Sequence, residues 1–501
     1  MAIAPSKTAG RSERNSDPVI FLKTKRALIG LDAAELSFIE KNLDSLPALA
    51  GLLHSGSVGR LQSTAGHMPG SVHPTFYTGS APGEHGIYHH LMWDAARMQM
   101  RRVTRDWRPT IPFWRPLDER GLRVIAFDVQ MVPPAPLRNG IEIMSWGAHD
   151  QLIPFRAYPE TVGRDLLKRF GHHPMGAEIP VTKTPAELRS IKKNLIEGAA
   201  RKGEAVRHLA QAHPWDLFMT VFGELHRGGH IFWPAGLNEN FGDLLELYQA
   251  VDRALGNLVA VFEEQGATVT LFALHGMGFN TSQDHFMPAV MQRANARFLS
   301  QSHLPATASK FPAIRLLRER LPAWLQNFVA QKVPVQMRDW VVGRQVISGL
   351  EWNTTPGFAL LADLHGYIRF NLRGREARGY FEPDSPQLAS YCDWLERCFR
   401  SLRRREDAQP LVADVVHARA VYPGERADSL PDLIVVWNEI PPAAHIDSDL
   451  LGAFDAEIAT GRSGNHRPDG FVVVPKAETA PPPRAVEDLA AFFSSGYESS
   501  R

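Results

Sequence analysis

Cysteine is nearly missing from this 501-residue sequence: there are two, Cys392 and Cys398, six apart in the helical-looking segment YCDWLERC. So few thiols exclude a disulfide scaffold and a cysteine-rich zinc module, leaving at most one bridge. Excess charge is missing too. The 55 Lys+Arg and 54 Asp+Glu give a net +1, which excludes the basic field that a nucleic-acid duplex binder presents. No apolar run approaches the roughly 18 residues that would place a segment across a membrane. The first 20 residues, MAIAPSKTAGRSERNSDPVI, lack the apolar centre of a secretory signal, so the expected compartment is cytoplasmic. No internal repeat or low-complexity block stands out. What is present is a 44% hydrophobic chain with 20 histidines. Its length suits two to four ordinary domains or one large α/β domain with insertions. Oligomeric state has no sequence signal.

Short apolar runs recur: RALIGLD (26–32), LRVIAFDV (122–129), WDLFMTVFG (215–223), ATVTLFALHG (267–276), PDLIVVW (431–437) and GFVVVP (470–475). Each reads as a buried strand. Helical patterns lie between several of them, clearest in residues 243–266, and residues 34–56 read as a helix stopped by Gly56. This alternation argues for a mostly parallel central sheet with helices on both faces, an α/β architecture that collects ligands outside the carboxyl ends of its strands. Asp32, His226 and His275 fall at or just beyond such ends. Residues 1–22 read as a disordered tail, and 23–282 and 356–501 as two parts of one catalytic core. Residues 283–355, rich in Arg, Trp and Pro and without strand signal, read as a helical insertion or cap.

The chemistry-bearing residues stand where apolar runs stop: Asp32 in GLD, His226 and His230 in GELHRGGH, His275 in LHGMG and His466 in GNHRPDG. Imidazole and carboxylate together suit zinc and related divalent ions. A spacing of four puts His226 and His230 on one helical face, whereas Gly228 and Gly229 between them favour a loop. Singly, each of these histidines reads as an ordinary surface or core residue; together, at strand ends, they favour a metal centre. Residues 66–90 (GHMPGSVHPTFYTGSAPGEHGIYHH) offer hydroxyls at a helix start. Ser71 beside Gly70 is the candidate nucleophile, with Thr64, Thr75 and Thr78 as alternatives. A turn and helix-cap sequence without chemistry accounts for the same composition.

Taken in order, IGLDAAE (29–35), SVHPTFYTGSAPGEHGIY (71–88), PWDLFMTVFGELHRGGHIFW (214–233), LFALHGMG (271–278), YIRFNLRGRE (367–376), LPDLIVVW (430–437) and SGNHRPDGFVV (463–473) resemble the alkaline phosphatase superfamily, in its type I phosphodiesterase and nucleotide pyrophosphatase branch. The resemblance implies an alkaline phosphatase-like sandwich with a two-metal site, usually zinc, acting on a small anionic phosphate ester. By position, Asp32, Ser71 and His275 match one ion's ligands, and His230 and His466 the other's. Three departures stand out. Leu274 and His226 occupy places where the family has Asp, and the spacing of Ser71 to Thr78-Gly79 is short, so that Pro69 falls at the usual hydroxyl's place. Two dications against Asp32 and a serine alkoxide would leave about two positive charges uncompensated, which is costly in a low-dielectric cleft. Glu224 or Asp284 is the expected compensating carboxylate. The alternative is a single ion on His226, His230 and His466 with an open position for water. The expected activity is metal-dependent hydrolysis of a phosphodiester or pyrophosphate, with one or two zinc ions or manganese. The rival readings are a phosphonate or sulfate-ester hydrolase or group transferase on the same fold, and an inactive binding protein.

Overall fold

The computed structural model describes residues 25–134, 136–176, 183–234, 241–301, 335–458 and 461–497. The tail read at 1–22 lies outside the described residues. At the centre is an eight-stranded sheet in the order Gly56–Gln62, Asp469–Pro475, Thr268–Ala273, Arg26–Leu31, Leu217–Phe222, Val124–Phe127, Ile141–Met144, Arg156–Tyr158. The five strands from Thr268–Ala273 to Ile141–Met144 run parallel, and the outer three pair antiparallel. The first strand shows why the apolar runs are continuous. Its Ala27, Ile29 and Leu31 enter one core and Leu28 enters the other, because successive side chains leave opposite faces and both faces are covered. Helices Leu36–Lys41, Pro47–Ser55, Pro185–Ala212 and Gly242–Glu264 cover the first face, and Val72–Thr78, Trp114–Glu119 and Asp488–Ser495 the second.

Residues 34–56 are two helices, not one. Pro47 cannot continue a helix but starts one well, and the Asp252 carboxylate accepts the backbone N–H groups of Ala48 and Leu49 at 3.2 and 2.8 Å. Gly56 opens an edge strand, and a Cβ there would lie 2.5 Å from Val473 Cγ1. The run at 431–437 differs from expectation. Its strand Leu433–Trp437 belongs to a separate antiparallel sheet with Gly357–Leu360, Gly366–Phe370 and Val412–His417. Of the segment 283–355, Met287–Gln301 is a helix whose Val290, Met291 and Ala294 pack into that sheet's core. Helix Val335–Ile347 is tied by Asp339 to Arg102 at 2.6 and 2.7 Å. Residues 302–334 lie outside the described residues.

The PxxHG element at 82–86 is a brace. The Ile87 N–H donates to His85 Nδ1 (3.0 Å), so His85 Nε2–H faces Thr75 Oγ1 (3.1 Å), locking the helix that carries His73. Burial, helped by Arg426, pushes the His85 imidazole down from 6.5 to about 3. The folded chain therefore resists a proton that the unfolded chain accepts. The contribution is complete above pH 6.5 and is lost as pH falls toward 3, by up to roughly 1.4 kcal/mol per pH unit. Urea unfolding across that window should show a shallower pH slope for His85→Gln than for wild type; identical slopes would mean His85 titrates normally.

Candidate metal centre

Asp32 follows the central strand, and its N–H donates to Phe222 O (3.0 Å) on the neighbouring strand. This places the carboxylate at the carboxyl edge of the sheet, almost fully buried. Oδ1 lies 3.2 Å from His73 Nε2 and 3.5 Å from His275 Nε2, and Oδ2 lies 3.2 Å from His226 Nδ1 and 3.7 Å from His149 Nδ1. Tetrahedral zinc with bonds of about 2.0–2.1 Å keeps its ligands about 3.3–3.4 Å apart, so these donors already stand at ligand spacing.

The glycines of GELHRGGH do not make a loop; Glu224–Phe232 is a helix. They are needed because the helix packs tightly. A Cβ on Gly228 would sit 2.1 Å from Leu247 Cδ2, and one on Gly229 2.8 Å from Met277 Cγ. His226 and His230 consequently share a face, with their Nε2 atoms 3.0 Å apart. His230 Nδ1–H donates to Gly464 O (2.9 Å) and His275 Nδ1–H to Gly276 O (3.0 Å), so each ring turns its Nε2 to the centre. The His466 ring stands 4.8 to 4.9 Å from those of His226, His230 and His275, and its Nδ1 has no hydrogen-bond partner among the described residues. Two donor triads result, His226–His275–His466 and Asp32–His149–His226, each with its ligand atoms within 4.8 Å of one another.

Electrostatics keep these groups in ligand form. Burial alone would raise the Asp32 carboxyl, but His226 and His73 outweigh it and hold it well below the usual carboxylate range. Burial also pushes His149, His230 and His466 well down, helped respectively by His226, Arg462 and His275, so all three are neutral at pH 7.

The narrow cavity above holds about 30 Å³ for water-sized particles and is lined by Gly70, Gln130, Asp150, Asp363 and Arg462 as well as the histidines. Asp150 lies 3.3 Å from His90 and 3.6 Å from His149, and Asp363 lies 3.6 Å from His89 and 3.7 Å from Arg462. These are the nearby carboxylates, in place of the two expected from sequence. Glu224 turns to His173 (3.0 Å) and Lys202 (3.9 Å), and Asp284 to Ser282 (3.1 Å). Gln130 is fully buried, with neither amide atom partnered among the described residues, and lines the cavity. Ala33, Asp128, Met131 and Ser145 adopt positive φ between 54° and 61° around this region, strain that a functional edge tolerates.

Of the residues expected from sequence, Asp32, His226, His230, His275 and His466 converge. Ser71 does not join them. It is buried off the cavity wall, its hydroxyl 2.7 Å from Met68 O and 2.8 Å from Thr64 Oγ1, while Pro69 and Gly70 form the wall. Gln130 and His149 were missed, although both lie just past carboxyl ends of parallel strands, where Asp32 was found. His73 had no such signal.

A family model described as "Type I phosphodiesterase / nucleotide pyrophosphatase" matches residues 27–325, more than half of the chain. The protein belongs to this family. It is accordingly a phosphoric ester hydrolase of a metal-dependent family, with the alkaline phosphatase-like fold. No curated protein matches this family member by sequence. Among solved structures it is similar to phosphonoacetate hydrolase from Sinorhizobium meliloti 1021. The complex with phosphonoformate gives a TM-score of 0.52, and that with phosphonoacetate 0.51. Both are 13% identical, with 95% of this chain and 96% of that chain covered. At that identity the likeness speaks for the fold. Among the described residues, no helix of this family member is long and apolar enough to cross a membrane.

Proposed function

We propose that this phosphodiesterase-family enzyme hydrolyses a small phosphodiester or pyrophosphate at a zinc centre built from Asp32, His149, His226, His230, His275 and His466, with water rather than Ser71 as nucleophile. The observation that carries the reading is one buried carboxylate with nitrogens of His73, His149, His226 and His275 at 3.2 to 3.7 Å, beside His230 and His466, with the rings of His230 and His275 oriented by backbone carbonyls. A bound divalent cation would supply Lewis acidity to the phosphoryl group and lower the pKa of an attacking water. Neutral imidazoles favour zinc over the harder manganese. The cytoplasm is the proposed compartment, on the sequence grounds above.

The chain's own residues do the rest. Gln130 Nε2–H has no acceptor among the described residues and lines the cavity, where it donates to a non-bridging phosphoryl oxygen. Arg462, on the same wall, places its positive charge beside that oxygen. Asp363 and Asp150 steady Arg462 and His149 and offset the surplus of positive charge. The narrow cavity admits the phosphoryl head and leaves the leaving group outside.

Metal-stripped protein, resupplied with zinc or manganese, is assayed on a bis-aryl phosphate and a dinucleotide pyrophosphate. Metal-restored turnover is expected; stoichiometric bound metal with no turnover on either substrate would sink the proposal. Two variants sharpen it. Ser71→Ala should keep turnover within a few-fold, and a collapse of about 10³-fold would restore the covalent route. Gln130→Ala should lose about 10²-fold in kcat/KM, the usual order for one oxyanion donor, at unchanged metal content.

A further inference from the structure

His226 belongs to both donor triads at once. Its Nδ1 lies 3.2 Å from Asp32 Oδ2, and its ring lies against that of His149 with centroids 3.8 Å apart and planes tilted by 30°. Its Nε2 lies 3.0 Å from His230 Nε2, and its ring centroid 4.9 Å from that of His466. The two nitrogens of an imidazole sit on opposite sides of a rigid ring, and here each faces a different set of ligands. The backbone that carries the ring is held in place, because its helix packs closely where Gly228 and Gly229 meet Leu247 and Met277.

We propose that His226 bridges two cations. Nδ1 ligates the one held by Asp32 and His149, and Nε2 the one held by His230, His275 and His466. Binding of the second ion displaces the ring N–H proton to solvent, and the resulting imidazolate donates a lone pair from each nitrogen. This rests on the metal-centre reading above and adds to it the ion count and the bridging atom pair. It also accounts for the missing charge. A neutral histidine in place of a carboxylate loses one negative charge, whereas an imidazolate restores it, so two dications face Asp32 and the bridge together. One residue thereby answers the His226 substitution, and the Leu274 deficit is left to the neighbouring Asp150 and Asp363.

The probe is copper(II), added stepwise to metal-free protein and followed by elemental analysis and electron paramagnetic resonance. Wild type is expected to take two equivalents, and the signal present after the first should largely vanish after the second, because an imidazolate couples the two unpaired spins. His226→Gln should lose that silencing, leaving full-intensity signal for whatever copper it binds. In case that variant misfolds, His149→Ala, which trims only one side, should hold a single equivalent with full signal. Two equivalents integrating to two independent spins in wild type, or a firm limit of one equivalent, would overturn the bridge. Either of those results with intact zinc-dependent turnover leaves the hydrolase reading standing. A silenced pair without turnover on any phosphate ester sinks the hydrolase reading instead.

Discussion

His466→Ala is expected to release tightly held metal and to lower phosphodiester turnover by about 10³-fold or more, with the fold intact. The size follows from the position. Outer residues that merely orient a ligand cost about 10–100-fold when removed, and His466 is proposed as a ligand itself. Preservation of the fold follows from the hydrogen bonds. Among the described residues His466 Nδ1 has no partner, so the imidazole holds none of them in place by that atom. Its strand Gly464–Arg467 is anchored by backbone pairing with Gly276–Phe279 and by Asn465, whose amide donates to Asn280 Oδ1 (3.2 Å) and Asp363 O (2.9 Å). Elemental analysis, circular dichroism and turnover on one preparation check all three parts. A variant that keeps both its metal and its rate would show that the ion sits elsewhere.

Lys202→Met is expected to destabilise the protein by about 3–5 kcal/mol, the usual cost of stranding buried charge. Lys202 is fully buried; its ammonium donates to Asp128 Oδ2 (2.9 Å) and Val221 O (2.7 Å) and lies 3.9 Å from Glu224. Burial alone would lower its pKa, but Asp128 and Glu224 overcome that and hold it above the usual lysine value, so the charge is real. Without it, two buried carboxylates lose their common cation. The damage should reach the metal centre, because Asp128 also accepts the N–H groups of Trp146, Gly147 and Ala148, the turn that delivers His149 and Asp150. A drop of 10–100-fold in metal affinity should accompany the lowered urea midpoint. Adding Asp128→Asn should recover part of the stability but not the affinity. Equal affinities in wild type and Lys202→Met would show that the turn holds itself.

Five strands of the central sheet (Arg26–Leu31, Val124–Phe127, Leu217–Phe222, Thr268–Ala273 and Asp469–Pro475) were legible because a strand covered on both faces must be apolar throughout, whereas Gly56–Gln62, Ile141–Met144 and Arg156–Tyr158 were not. Helix Gly242–Glu264 was legible by its period. The helix Glu224–Phe232 was not, since paired glycines lower local helix propensity, and only the nearness of Leu247 and Met277 shows why glycine is required. Nor does a run such as PDLIVVW state which sheet it joins; pairing partners are distant in sequence and leave no mark on the run itself.

By itself, the order of residues determined the fold class and pointed to Asp32, His226 and His275, because a doubly covered parallel sheet brings its strand ends to one edge, while His230 and His466 were legible from their motifs and the family resemblance. Tertiary structure alone decided that Ser71 turns to Met68, that Asp150 and Asp363 approach the histidines, and that Gln130 and His149 complete the wall. Those outcomes depend on loop paths and side-chain directions, which are set by hydrogen bonds between segments far apart in the chain.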